Sequence, residues 1–483
     1  MLMIKKNTLE MKKQITIKAL LALWVLMCPI FILAQPKMAV KVIPKAHIEG
    51  ILGAGRADQT IHLRHFNGID VPVKVDAKGH FSTDVFLAEP GFYKLDGLGA
   101  LYLSPGDQLR LQLDKDGLYL FSGKGSAANT IYSGLKKSIS GFLPYSEKTG
   151  LTAEAYQMDV PLFMQKIADF EAYSEKAVSK VPDPFFREIA MKDLRCFDNS
   201  LLYSCSRGEG SNLRKLDSTL KKQIADRVFY NLDPNDVKLF QNSENYRTAV
   251  ELKIKYLMYT KIGSADMRNK EAKILMERKT AIELIREPYI LDHFKCLYSI
   301  ALIKAVPSAR QDSIYKDFMA GNFTAAHKAE VERTYRKQID YGDNGTAPDF
   351  SYEDVHGKKV KLSDLRGKYV YIDIWATWCG PCKAQIPYLA KLETDYHGKN
   401  IQFLSISIDE IKDKGKWADF VKEQRLGGIQ VMADNAIQSD FIQKFGINAI
   451  PRFILIDPKG KIVSANAKRP GDPEIRKDLN ALL

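Results

Sequence analysis

Cysteine is scarce in this chain, with six in 483 residues: Cys28, Cys196, Cys205, Cys296, Cys379 and Cys382. Spread so widely, they cannot form the framework of a disulfide-stapled scaffold. A second C-x-x-C is missing, and His356 and His397 near the pair Cys379/Cys382 add no ligand set at matching spacing. A structural zinc site needs four ligands, so none is expected. Beyond the N-terminal segment no stretch is apolar enough to span a bilayer. No repeat of fixed length runs through the chain, which removes a regular solenoid. The formal charge of +13 comes with no Arg-rich face, zinc-finger spacing or RNP-like aromatic motif, so nucleic acid is not an expected partner. Part of that excess is local, five Lys against one Glu in the first 34 residues. The rest is scattered among acidic neighbours as a solvated surface.

What is present divides into a leader and three regions, as a chain of this length requires more than one core. After the basic start MKKQITIK, about 16 apolar residues (Ala19 to Ala34) precede Gln35-Pro36, the pattern of a secretory signal peptide. The expectation for residues 1–34 is export with cleavage after Ala34. A retained membrane tether is the second reading, although the run is short and broken by Pro29. Lipid attachment at Cys28 fits poorly with Val25 and Met27 before it. Removal of the leader leaves five cysteines. Cys196 and Cys205 share one helical pattern, about 13 Å apart in rise and half a turn in rotation, so both are read, with Cys296, as buried free thiols.

Residues 35–127 read as an all-β, sandwich-like domain. Alternating apolar pairs such as Ile61/Leu63, Val71/Val73/Val75 and Leu109/Leu111/Leu113 are separated by turn signals, among them Asn67-Gly68, Lys78-Gly79 and Pro105-Gly106-Asp107. Asp114-Lys115-Asp116-Gly117 is a hairpin turn rather than a calcium loop, because no glutamate stands at the twelfth position. His62 and His65 lack companions at metal spacing. From 128 to 342 the apolar period changes to 3.6, punctuated by Pro182, Pro184, Pro234, Pro288 and Pro307, and a bundle of amphipathic helices is expected. The Gly- and Asn-containing loop Tyr341–Gly345 closes this pattern. Residues 343–483 alternate strand and helix, including a strand at Tyr369–Trp375, a helix from Cys382 to Tyr396 and a strand at Ile401–Ile408. That order describes an α/β domain.

The stretch YVYIDIWATWCGPC carries the chemistry. An apolar strand runs into Cys379-Gly380-Pro381-Cys382 at the start of a helix, where unpaired N–H groups and the helix dipole favour an anion. A lowered pKa raises the thiolate fraction of Cys379, and the thiolate is the nucleophile of disulfide exchange. Cys382, one turn on, is placed to attack a mixed disulfide and release the product. Gly380 and Pro381 fix the loop without adding charge.

WCGPC, with Trp375 and Trp378 before it and Pro387 after it, resembles the thioredoxin active site. The longer segment FSYEDVHGKKVKLSDLRGKYVYIDIWATWCGPC resembles the TlpA/ResA-like thiol–disulfide oxidoreductases. The match covers roughly residues 345–483, and the preceding β and helical regions resemble, more loosely, an accessory region of bacterial envelope proteins. By position, the resemblance implies Cys379 as the attacking and Cys382 as the resolving member of a redox-active disulfide, with Trp378 bordering the site. Asp373 matches the buried acid that moves the proton of the resolving thiol. Its apolar neighbours Tyr371, Ile372 and Ile374 give an independent reason to expect desolvation and a raised pKa. Pro451 matches the cis-proline facing the thiols and leaves the Ile450 backbone free to pair with an extended substrate. The strand lysine that accompanies the acid in thioredoxin is absent, with Ser405 and Ser407 in that strand. Glu410 aligns with an active-site glutamate of ResA-like proteins.

The expected function is therefore an exported, periplasmic or envelope thiol–disulfide oxidoreductase that reduces protein disulfides without a cofactor or metal. Its partners would be disulfide-containing clients and a membrane electron donor of the DsbD/CcdA type, because an oxidising compartment does not supply electrons. Two alternatives compete. One is an envelope binding or assembly protein with an ancillary redox domain. The other is a peroxiredoxin-like peroxidase, weakened by Ala376 standing where that chemistry needs Thr or Ser.

Overall fold

The computed structural model describes residues 43–52, 56–114, 119–146, 150–207, 218–261 and 269–483. The leader at 1–34, with Cys28, and positions 115–118 of the Asp114–Gly117 turn lie outside the described residues. Two compact units divide the chain, one of residues 1–65 and 69–134 and one of residues 66–68 and 135–483.

The first unit is built from eight strands: β1 (Lys45–Ile51), β2 (Thr60–Arg64), β3 (Asp70–Lys74), β4 (His80–Phe86), β5 (Gly91–Leu95), β6 (Gly99–Leu103), β7 (Gln108–Leu113) and β8 (Tyr119–Lys124). They form two four-stranded sheets, ordered β4-β1-β7-β8 and β3-β2-β5-β6. Period-2 patterning turns Ile48, Val85, Leu109 and Leu111 of the first sheet and Ile61, Leu63, Val73 and Leu101 of the second into one shared core, the interior of a β-sandwich. β7 and β8 pair antiparallel from Gln108↔Lys124 to Leu113↔Tyr119. His62 is bound to Asp70, and His65 lies against the Tyr93 ring.

The second unit begins with helices, joined by a short hairpin of β9 (Tyr145–Ser146) and β10 (Gly150–Leu151) that the sequence did not announce. The long helix Pro184–Arg207 packs against Val160–Val178 and Glu244–Tyr259, and Pro288–Ile303 packs against Lys270–Leu284, Ser308–Ala320 and Ala325–Tyr341. Pro184 and Pro288 each open a helix and Pro307 immediately precedes one, because the first turn needs no N–H from that residue. Side-chain caps set other starts: Ser243 Oγ accepts from Tyr246 N and Asn269 Oδ1 from Ala272 N. Cys196, Cys205 and Cys296 are buried thiols, separate from the Cys379–Cys382 disulfide. Burial raises the Cys196 and Cys296 thiols to about 12.

The unit ends in a mixed sheet of β11 (Ser351–Asp354), β12 (Lys359–Lys361), β13 (Tyr369–Trp375), β14 (Ile401–Ser407), β15 (Ile429–Met432), β16 (Arg452–Ile456) and β17 (Ile462–Ser464). Its order is β12-β11-β15-β14-β13-β16-β17. β13 is central, parallel to β14 and antiparallel to β16. It is buried on both faces. Val370, Ile372 and Ile374 point into a layer with Ile406 and Trp417, and Tyr371 into a second layer with Leu389, Leu392 and Phe453. The fold of this region is thioredoxin-like. Among the described residues, no helix is long and apolar enough to cross a membrane.

Candidate active site

β13 delivers the site at its C-terminal end, where the chain leaves the sheet at Ala376 and Thr377. Two contacts tie this exit to the end of β14. Ile408 N donates to Trp375 O at 2.9 Å, and the carboxylate of Asp409 accepts from Thr377 N (2.9 Å), Thr377 Oγ1 (2.7 Å) and Ser407 Oγ (2.6 Å). Asp409 is 1% exposed, so three donors converge on a carboxylate removed from water. That arrangement braces the turn that presents Cys379.

Cys379 and Cys382 are joined as a disulfide with Cα atoms 5.3 Å apart. Cys379 caps the four-residue helix Gly380–Lys383, its Sγ accepting from Cys382 N at 3.1 Å. The helix expected from Cys382 to Tyr396 is two pieces, Gly380–Lys383 and Ile386–Asp395. Pro387 explains the break, since it has no N–H for the carbonyl of Lys383 and its ring crowds that position. In the disulfide form neither cysteine is more open than the other, with 4% exposure for Cys379 and 3% for Cys382. Trp378 is the exposed group of the motif at 61%, whereas Trp375 is buried at 2%. Gly380 and Pro381 are exposed beside it.

Asp373 sits two residues before Trp375 on the strand face shared with Tyr371, paired in register with Ser405 on β14 and Phe453 on β16. Its Oδ1 is buried without a hydrogen-bond partner. Burial first, and the charge of Glu393 second, push this carboxyl up to about 8. The Ile450–Pro451 peptide bond is cis, and Ile450 packs on the apolar layer that contains both cysteines. Beside Pro451 a cavity of about 670 Å³ is lined by Gln385, Tyr388, Phe453, Lys468 and Arg469, among others.

Glu410 is turned to solvent: its side chain is 64% exposed and pairs with Lys412 at 2.6 Å. Asp409, one residue earlier, takes the inward direction. The resemblance to ResA-like proteins singled out Glu410, whereas the member of the Asp409-Glu410 pair that the fold buries is Asp409. At the end of a strand the alternation of faces no longer discriminates between neighbours. Thr377 and Gln385 drew no attention in the sequence. Gln385 Oε1 accepts from Gly471 N at 3.1 Å on the Pro451 side of the helix, and its place three residues after Cys382 is the signal that could have found it. Among the described residues, no group of three or more His, Cys, Asp and Glu side chains is arranged to hold a metal ion.

A thioredoxin-like sheet with a two-cysteine disulfide at the end of its central strand defines the class, that of the thiol–disulfide oxidoreductases. The Redoxin family model matches residues 342–483. ResA, the thiol-disulfide oxidoreductase of Bacillus thuringiensis subsp. konkukian, is 32% identical over 143 residues, which cover 30% of this chain and 73% of the relative. ResA of Bacillus subtilis is 31% identical over 121 residues, 25% of this chain and 65% of the relative. Among solved structures, a thiol-disulfide oxidoreductase from Bacteroides fragilis is 30% identical, covering 29% of this chain and 99% of that one, with a TM-score of 0.26. The thioredoxin domain of a Bacteroides vulgatus thiol-disulfide oxidoreductase is 29% identical over 29% of this chain and 98% of that one, with a TM-score of 0.27. Through its C-terminal region the chain belongs to the ResA-like thiol–disulfide oxidoreductase family. It spans about two thirds of the length of the ResA relatives that it matches.

Proposed function

We propose that the protein is exported and reduces disulfides of client proteins through a mixed disulfide at Cys379. The observation that carries this reading is the Cys379–Cys382 disulfide at the end of β13, with the buried carboxyl of Asp373 on the same strand. In the reduced protein the Cys379 thiolate attacks one sulfur of a client disulfide. The client S–S bond breaks, its second sulfur leaves as a thiolate and takes a proton, and Cys379 is joined to the first. Asp373 then accepts the proton of Cys382, whose thiolate attacks Cys379 Sγ. The client departs with two thiols, and the two electrons it gained came from the enzyme dithiol, which is left as the disulfide. A membrane donor of the DsbD/CcdA type would return two electrons for each turnover, since an oxidising compartment offers none.

Trp378, Gly380, Pro381, Ile450 and Pro451 form the proposed client-binding rim, with the Ile450 backbone pairing to an extended client segment. The exposure of Trp378 supports this role. Cleavage after Ala34 and delivery to the periplasm or envelope belong to the same reading, and rest on the N-terminal pattern.

The test has two parts. Cys379→Ser should abolish reduction of insulin disulfides, and retained activity would move the nucleophile elsewhere. Cys382→Ser should accumulate client proteins bound covalently through Cys379. Complexes that form without a trapped thiol would favour a binding or assembly protein instead. A reduction potential near −120 mV, that of the oxidant DsbA, would reverse the direction of electron flow.

A further inference from the structure

The redox motif opens on one side into a cavity whose chemistry the client rim leaves unassigned. Gln385 joins the two. Its N–H donates to Cys382 O at 2.9 Å, and its side chain lines the cavity of about 670 Å³ that also borders Pro451 and Phe453. A client segment paired with the Ile450 backbone would therefore pass the cavity at its next residue, Pro451. The loop at 466–472 forms another wall. Gly471 brings that loop close to the motif: a Cβ there would stand 3.2 Å from Gln385 Oε1 and 3.3 Å from Tyr388 Cγ. A volume of this order suits a small polar group together with the backbone that carries it.

Three charged side chains line the cavity, Lys468, Arg469 and Asp472, and two of them are already committed. Lys468 Nζ pairs with Asp478 at 3.0 Å. Asp472 Oδ1 accepts from Glu474 N at 2.9 Å, at the start of the helix Glu474–Asn480. Arg469 is exposed and has no ion pair among the described residues. Its guanidinium keeps its charge at any physiological pH, and its fork of N–H groups matches a carboxylate. Gln385 contributes a neutral donor to the same space. Its Oε1 accepts from Gly471 N at 3.1 Å. A backbone N–H can only donate, so the oxygen is held there, and Nε2 is left without a partner among the described residues. The charge left over in the cavity is thus positive, and Gln385 adds a donor to it. The exposed Tyr388 ring supplies a wall against which methylene groups can lie.

We propose that this cavity is a client subsite that takes an acidic side chain, an Asp or Glu near the client cysteine, with Arg469 and Gln385 as the residues that select it. The inference rests on the reading of the protein as a reductase of client disulfides, and adds to it the chemistry of the clients preferred. A carboxylate in the cavity would meet the uncommitted guanidinium and the Gln385 amide, with its methylene carbons on Tyr388. A Lys or Arg side chain would find like charge from Arg469, and its one carboxylate partner, Asp472, already caps a helix. Selection of this kind works on the rate of productive encounter and is weakened by salt.

The experiment uses the reduced full-length protein and short synthetic peptides whose single cysteine is a mixed disulfide with 2-thiopyridine. Attack by Cys379 joins its sulfur to the peptide sulfur and releases thiopyridone, which is followed by absorbance. Glu, Gln or Lys is placed in turn at each of the two positions on either side of the cysteine. At one or more of these positions the Glu peptide should react about three- to tenfold faster than the Gln peptide, with Lys slowest, and the preference should shrink as salt is raised. Arg469→Glu should reverse the order of the Glu and Lys peptides. That comparison is a ratio within one protein, so a general loss of activity or stability does not enter it. Equal rates for all three peptides at every position overturn the subsite and leave the reductase reading standing. A Glu preference that survives both Arg469→Glu and high salt overturns the assignment to this cavity. Failure of the reduced protein to react with any peptide overturns the reductase reading and the subsite together.

Discussion

A carboxyl that stays protonated to about 8 leaves a thermodynamic trace as well as a kinetic one. Unfolded, Asp373 ionises near its ordinary 3.8. Between there and about 8 the folded state binds more protons than the unfolded state, so stability falls as pH rises through that window. Asp373→Asn should remove this loss. Relative to the parent, the variant should gain up to about 1.4 kcal/mol per pH unit within the window, read by urea denaturation at pH 5, 7 and 9. Asp198, buried and likewise raised to about 8, provides a background slope that the variant keeps.

Asp409 and Glu410 give the sharpest contrast between neighbours. Asp409→Ala leaves Thr377 N, Thr377 Oγ1 and Ser407 Oγ without their acceptor, a loss of about 2–4 kcal/mol. It should also slow attack by Cys379 on a model disulfide under single-turnover conditions. Glu410→Ala, at an exposed ion pair, should leave the same rate within about twofold. The sequence showed that Asp373 faces apolar surroundings, since every neighbour in YVYIDIW is apolar or aromatic. It could not show which of Asp409 and Glu410 turns inward, because a one-residue slip exchanges the two faces. The pairing of Asp373 with Ser405 was equally invisible, because it depends on register between strands separated by a whole crossover.

At the scale of elements, legibility followed length and burial. β13, buried on both faces, announced itself as a continuous apolar run, and the sandwich strands announced themselves by alternation. β11 and β15, four residues each, gave too few periods to be read. The long helices showed themselves by periodicity, but their fastening did not. Ser243 caps the helix Glu244–Tyr259 and also donates to Asp193 Oδ1 at 2.5 Å, while Asn245 Nδ2 donates to Asp193 Oδ2 at 2.9 Å. Asp193, 2% exposed, thereby fastens the start of one helix to the middle of Pro184–Arg207. Asp193→Ala should cost about 2–3 kcal/mol, through the orphaned donors and the loosened cap, measured by chemical denaturation. Ser243→Ala should also destabilise, because it leaves Tyr246 N without its cap acceptor and Asp193 Oδ1 without a donor.

For the whole molecule, the division of thiols gives a direct test. Cys196, Cys205 and Cys296 are 5%, 0% and 2% exposed, and the remaining pair forms the disulfide. Alkylation of the native oxidised protein should label none of them. After reduction of the folded protein, two should react. In denaturant with reductant the count should reach five if the mature chain starts at Gln35, and six if Cys28 is retained. Mass spectrometry of the labelled chain reads both the count and the N-terminus. The sequence marked the redox region because a two-cysteine motif is compact in the chain. It left the β-sandwich and the helical bundle without assigned chemistry, because no motif in either joins reactive residues at a spacing that names a reaction.

The contact between Thr377 and Asp409 joins residues 32 positions apart and so encloses the entire crossover from β13 to β14. Such a contact cannot form while the intervening helix is unpacked, since its loop must close first. During synthesis the two cysteines therefore leave the ribosome well before the brace that orients them. The reactive geometry of Cys379 is thus acquired late, as a property of the completed sheet and not of the motif that spells it.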